Sequence, residues 1–173
     1  KLRLLYDPIL KVNSINKKKR EKIKDKFLKI EYILSIGRLT RQKNFPLLIN
    51  AFSQLKENIS LYLIGNGNEY ENIKKLISKL KLQSKVLLLT SINNNDKKIL
   101  LKNALFSVLP STTMEESYGY VQIESMAQGT PVISFDIKNS GVGELNKNET
   151  GILLEVKSNL KECQNDLLFA MNS

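Results

Sequence analysis

Residues 32 to 67 read YILSIGRLTRQKNFPLLINAFSQLKENISLYLIGNG. A short apolar run, Tyr32–Ile36, stops at Gly37. A basic loop follows, and then FPLLINAFSQLK, where Leu48, Ala51, Phe52 and Leu55 fall at i, i+3, i+4 and i+7 on one helical face. A second apolar run, Leu61–Ile64, stops at Gly65. Strand, amphipathic helix and strand in that order form a βαβ unit, which pairs its strands in parallel. The runs are nearly all apolar, as expected for strands covered on both faces.

The same alternation continues to the end of the chain. Val86–Leu89, Phe106–Leu109, Val132–Phe135 and Ile152–Leu154 are the further strand candidates. In EYENIKKLISKLKL, Ile73, Leu76, Ile77 and Leu80 repeat the helical spacing. Asn95 or Asp96 is the expected cap of a third helix, DKKILLKNAL. A fourth is expected from about Tyr120 to Gln128, stopping at Gly129, and a last one from about Ser158. Repeated βαβ units with right-handed crossovers make an α/β fold, a Rossmann-like doubly wound parallel β-sheet with helices on both faces. The expected organisation is a basic lead-in helix or hinge over residues 1–30 and one domain over residues 31–173. There is no internal repeat and no low-complexity linker within 31–173.

Composition excludes several chemistries. The 173 residues contain no histidine and one cysteine, Cys163. Ser-His-Asp and Cys-His catalysis, an internal disulfide and multi-cysteine metal sites are therefore out of reach for these residues. Cys163 reads as a small apolar residue on the last helix. No apolar run approaches a membrane span, and KLRLLYDPILKVN has neither the apolar block nor the cleavage site of a signal peptide. These features favour a cytoplasmic setting. The formal net charge is +10, most of it within residues 1–30. A basic segment can meet nucleic acid or anionic lipid, but a solvated lysine-rich helix is the preferred reading.

In doubly wound sheets ligands bind beyond the carboxyl ends of the strands. After the first strand, Gly37 lets a ligand approach the backbone closely, and Arg38 and Lys43 flank the next helix start. Cations there oppose the helix dipole unless an anion lies between; the plain alternative is two surface cations. After the second strand, Gly65-Asn66-Gly67 lacks the third glycine of a dinucleotide fingerprint, and VLLLTS supplies no acid for a ribose. NAD binding is disfavoured and a tight turn preferred.

After the fourth strand comes PSTTM and then EESYGYVQIE, residues 115–124. Gly119 precedes a helix start, whose first amides are unpaired and attract phosphate. Glu116 lies before it, and Glu124 about one turn after it, leaning back toward that end. Carboxylate, anion-binding amides and carboxylate match the sugar hydroxyls, diphosphate and ribose hydroxyls of a nucleotide sugar. Arg38 and Lys43 are the cations available to offset the acids. Acids near a helix N-terminus also simply stabilise its dipole.

Five stretches in order over roughly residues 31–156 resemble the retaining glycosyltransferases of the GT-B fold, family 4. They are GRLTRQKN at 37–44, LYLIGNGNEYENIKKL, NALFSVLPS, Glu116-x7-Glu124 followed by SMAQGTPVI, and SGVGELNKNETGILLEV at 140–156. The resemblance implies the C-terminal, donor-binding half of such an enzyme, transferring a hexosyl group with retention from a UDP-, GDP- or ADP-linked sugar without a metal or other cofactor. It implies that Arg38 and Lys43 contact the diphosphate and that Glu116 holds donor-sugar hydroxyls. The amides of Ser117, Tyr118, Gly119, Tyr120 and Val121 would meet sugar or phosphate, and Glu124 the ribose. Leu88 to Ser91, Thr90 included, would frame the base, while Gly37 and Gly65 leave room for the nucleotide. A glycan or lipid-linked acceptor would bind an N-terminal domain absent from this chain, which reads as an excised domain expected to be inactive alone. The usual E-G-F-G is Glu116-Ser117-Tyr118-Gly119, so Ser117 is expected to narrow the sugar pocket or alter the loop. Leu105 replaces the usual aspartate of the third stretch.

Three functions follow as expectations. The first is the donor half of a glycosyltransferase of bacterial surface polysaccharide, such as capsule, with peripheral membrane contact and no nucleic acid. The second is a module that binds a nucleotide sugar without transfer. The third is a nucleic-acid or membrane-surface module working through residues 11–29, which predicts steep salt dependence.

Overall fold

A computed structural model describes residues 31–90, 92–146 and 149–173. The expected lead-in helix at 1–30 lies outside the described residues. Six strands form one sheet: β1 Tyr32–Ile36, β2 Ser60–Ile64, β3 Val86–Leu89, β4 Ser107–Leu109, β5 Val132–Asp136 and β6 Gly151–Glu155. Its order is β3-β2-β1-β4-β5-β6, and every neighbouring pair is parallel. This is the doubly wound arrangement the alternation predicts. The helices are α1 Phe45–Phe52, α2 Tyr70–Lys79, α3 Asn94–Asn103, α4 Tyr120–Met126, α5 Val142–Leu145 and α6 Leu160–Asn172.

Two cores explain the unbroken apolar strands. Ile33, Leu61 and Leu63 point into one cluster with Leu48 and Phe52 of α1, Ile73 and Ile77 of α2, and Cys163 and Leu167 of α6. Tyr32, Leu34, Tyr62 and Ile64 point the other way, against Leu100 and Leu101 of α3 and Ala104, which caps its C-terminus. Successive strand residues alternate faces, and here each face has its own helices. The outer strands are the exceptions. Leu87–Leu89 of β3 and Gly151–Leu154 of β6 are only half-buried because each has a neighbour on one side.

On the α3 face the Tyr32 hydroxyl donates to the Leu100 carbonyl at 2.7 Å, and the Tyr32 and Tyr62 rings stack with centroids 4.4 Å apart. Burial, and then the neighbouring Tyr62, push the Tyr32 phenol far above its usual value.

The structure moves several helix ends. α3 starts at Asn94 and is capped by Asn93, not by Asn95 or Asp96; the extended Asn93 turns its side chain to accept from the Asp96 amide. α4 ends at Met126, and its exit is completed by Gly129 at φ 76°. α6 starts at Leu160, capped by Asn159. The short α5 has no apolar periodicity to announce it. It is held by the buried amide of Asn146, which donates to Val132, Ser134 and Ile152 on β5 and β6.

Candidate functional site

Chain direction reverses at the middle of the sheet. From β1 the chain winds outward to β2 and β3, and from β4 it winds the other way to β5 and β6. The loops leaving β1 and β4 therefore diverge, and the crevice between them is where such sheets bind ligands.

The loop after β1 is shaped by its neighbour after β2. The Leu39 amide donates to the Asn66 carbonyl at 2.9 Å and the Glu69 amide to the Leu39 carbonyl at 2.9 Å. A Cβ on Gly65 would strike the Gly37 carbonyl, and one on Gly67 would strike the Leu39 backbone. Both glycines of the second loop are thus required by the packing of one turn on the other, the plain reading for this stretch. Gly37 faces more open space, with nothing nearer than 3.6 Å to an added Cβ.

A 3-10 turn, Arg41–Lys43, and a left-handed Asn44 then aim two side chains across the crevice. The Lys43 ammonium donates to Oε2 of Glu116 on the β4 loop. The same oxygen accepts from the Ser111 hydroxyl at 2.8 Å, and the Asn44 amide donates to the Thr112 hydroxyl at 3.2 Å. Glu116 is buried, 5% exposed, yet its Oε1 accepts from no described residue. Arg38 is exposed and makes no ion pair among the described residues.

Ser117 is the position expected to narrow the sugar pocket or alter the loop. Its backbone stays out of the left-handed region, so no glycine is needed there. Its carbonyl accepts from the Gly141 amide at 2.7 Å and the Ser140 hydroxyl at 3.2 Å, which ties the loop to the start of α5. Gly119 is the glycine that matters. It sits at φ 61° and caps α4, and a Cβ there would strike Leu109. The amides of Tyr120 and Val121 open the helix beyond it and have no partner within it. The Tyr118 and Tyr120 rings are exposed and stack 6.2 Å apart.

Glu124 lies on the next turn of α4, half-exposed, and accepts from Lys97 of α3 at 2.5 Å. Of the cations expected to offset both acids, Lys43 pairs with Glu116, while Arg38 pairs with neither acid among the described residues. Lys97 was missed because no local pattern in α3 distinguishes it from its lysine neighbours; only the packing of α3 beside α4 brings it there. Ser111 was legible as the serine closing NALFSVLPS, though without a role. A groove of about 440 Å³ between α3 and α4 runs past the Lys97–Glu124 pair. A second cleft of about 350 Å³ lies at the ends of β4, β5 and β6, lined by Thr112, Asp136 and Glu155 among others.

Leu88 and Thr90 lie at the end of β3, two strands away from the crevice. Leu88 is half-buried against the core and Thr90 is exposed. The Gly65 amide donates to the Leu89 carbonyl at 2.8 Å, so this segment borders the Gly65 turn and not the Glu116 loop. Ser91 lies outside the described residues.

The six-stranded parallel sheet and its helices match the Rossmann-like fold of GT-B glycosyltransferase structures. Sucrose-phosphate synthase from Thermosynechococcus elongatus superposes with a TM-score of 0.73 at 25% identity, over 88% of this chain and 38% of that one. Anabaena HepE in complex with UDP superposes with a TM-score of 0.71 at 21% identity, over 91% of this chain and 44% of that one. Residues 16–173 match the model of the glycosyl transferases group 1 family, and the chain belongs to that family. It is 38% identical over 157 residues to N-acetylgalactosamine-N,N'-diacetylbacillosaminyl-diphospho-undecaprenol 4-alpha-N-acetylgalactosaminyltransferase of Campylobacter jejuni, covering 90% of this chain. The chain spans only 40% of that relative's length. Among the described residues no helix is long and apolar enough to cross a membrane.

Proposed function

We propose that this chain is the donor-binding half of a retaining, family 4 GT-B glycosyltransferase that builds a bacterial surface polysaccharide or related glycan. One observation carries the reading: Lys43, Ser111 and Glu116 meet in the crevice between β1 and β4, with Arg38 exposed on the same loop as Lys43. The cluster pairs a buried carboxylate that has one oxygen to spare with a cation held in place, beside the opening amides of α4. A sugar hydroxyl donating to Glu116 Oε1 would complete that carboxylate's bonding.

The diphosphate of a UDP-, GDP- or ADP-sugar then lies along Arg38, Lys43 and the α4 amides. Negative charge grows on it as the bond to the anomeric carbon breaks, so fixed positive charge there stabilises the transition state more than the ground state. Protein groups, rather than a metal, take that charge. Glu124, released from Lys97, accepts from the ribose hydroxyls, and Leu88 to Ser91 frame the base. The acceptor, a glycan or lipid-linked sugar, occupies the half of the enzyme beyond this chain. The Campylobacter relative, whose name describes a diphospho-undecaprenol-linked substrate, supports that choice of acceptor; the proposed setting is the cytoplasm, at the inner membrane face.

Calorimetry with UDP, GDP and ADP, each free and as a hexose conjugate, tests the donor site. Weak binding of one nucleotide family is expected, and no heat with any of them rejects it. The chain alone is expected to show no turnover until an N-terminal half is supplied.

A further inference from the structure

Gln122 is fully buried on the first turn of α4. Its Nε2 donates to the Tyr118 carbonyl at 3.0 Å and to the Val142 carbonyl at 3.4 Å. Its Oε1 is buried and has no partner. That is a costly way to fill space, since an orphaned buried acceptor loses the hydrogen bonds it made to water. An apolar side chain of the same volume would avoid that loss. What it could not do is donate to two carbonyls on separate segments.

Those segments are the loop preceding α4 and the first residue of α5. They are joined a second time by the bonds from Gly141 and Ser140 to the Ser117 carbonyl. Gly141 also lies directly under the Tyr118 ring, where a Cβ would not fit. From the other side, the Gln122 amide lies 3.2 Å from the position a Cβ of Gly119 would take. The turn from Ser117 to Gly119 is thus gripped between α5 and Gln122. Glu116 immediately precedes that turn, and its own amide donates to the Thr113 carbonyl at 3.1 Å.

We propose that Gln122 is a positioning residue: by donating to the Tyr118 and Val142 carbonyls it locks the Ser117–Gly119 turn onto α5 and so fixes where Glu116 and the α4 amides meet the sugar end of a nucleotide sugar. This rests on the donor-site reading above. It adds to that reading a side chain that touches no ligand, and it gives α5 the role of an anchor.

The test is Gln122→Met in the full chain, which keeps the volume and removes the donor. Calorimetry compares UDP, GDP and ADP with UDP-glucose, UDP-N-acetylgalactosamine, GDP-mannose and ADP-glucose. For whichever family the wild type binds, the substitution should weaken the sugar conjugate by about ten-fold while changing the free nucleotide by less than about two-fold. Amide exchange at Gly141 should rise by about ten-fold with the melting temperature unchanged or raised. A purely structural glutamine would instead weaken both ligands alike or neither, and either result overturns the proposal. If the wild type binds none of these ligands, the donor-site reading fails and takes the proposal with it; wild-type binding with an unaltered Gln122→Met profile removes the proposal alone. Should Gln122→Met not fold, Ser140→Ala replaces it, because this loop hydroxyl grips the same turn. A loss of several-fold for the sugar conjugate only supports the proposal, and no change overturns it.

Discussion

The Lys43 ammonium, on the loop leaving β1, donates to the Glu116 carboxylate, on the loop leaving β4. The two residues are 73 positions apart in sequence, and their side chains are 15% and 7% exposed. Removing one partner of a pair this buried leaves an uncompensated charge, whereas replacing both with apolar groups does not. Lys43→Met is therefore expected to cost about 3 kcal/mol of stability, and the Lys43→Met, Glu116→Leu double variant to recover most of it. Urea unfolding of the four proteins in a double-mutant cycle measures this.

The two acids of the site are expected to report on different parts of one ligand. Glu124→Ala should weaken the free nucleoside diphosphate and its sugar conjugate alike, by about ten-fold or more. Glu116→Ala should weaken the conjugate by a similar factor and spare the free nucleotide. Calorimetry separates them, and equal losses for both ligands in both variants would refute the assignment.

Glycines on the crevice loops should differ sharply in tolerance. Gly37→Ala finds room and is expected to change stability by less than about 0.5 kcal/mol. Gly65→Ala would drive a Cβ into the Gly37 carbonyl, and Gly119→Ala would add left-handed strain to a clash with Leu109. Each should cost at least about 1–3 kcal/mol. Thermal melts of the three variants decide it.

Alkaline pH should destabilise the fold through Tyr32. Burial raises its folded-state pKa above the usual 10.0, so the folded chain keeps a proton that the unfolded chain releases. The resulting stability is fully present below about pH 10 and is lost as pH rises above it. Tyr32→Phe gives up the bond to Leu100, worth about 1 kcal/mol, but should flatten the alkaline decline. Burial also raises Tyr62, so some decline remains. Chemical denaturation at about pH 8 and about pH 11 compares the two proteins.

Much of the architecture is local information. Tyr32–Ile36 and Val86–Leu89 are strands at the bounds their apolar runs suggest. The buried positions of α1 include Leu48, Ala51 and Phe52, as its spacing requires. Helix ends were less legible, because a cap depends on one residue's backbone: Asn93 and Asn95 are the same amino acid, and only the extended conformation of Asn93 makes it the cap.

By itself the sequence determined the alternation of strands and helices, hence a parallel doubly wound sheet, and it marked Gly37, Lys43, Glu116, Gly119 and Glu124 as residues beyond strand ends. Periodicity and turn chemistry act over a few residues, so they can be read without partners. Only the tertiary structure decided what those residues touch. Sheet order sets β1 beside β4, and that alone brings Lys43 to Glu116. The crossover from β3 sets α3 beside α4, which gives Glu124 to Lys97 rather than to Arg38. The grip of Gln122 on Tyr118 and Val142 arises the same way. Ion pairs and buried hydrogen bonds form between whichever groups the packed layers bring together, and no spacing along the chain encodes that choice.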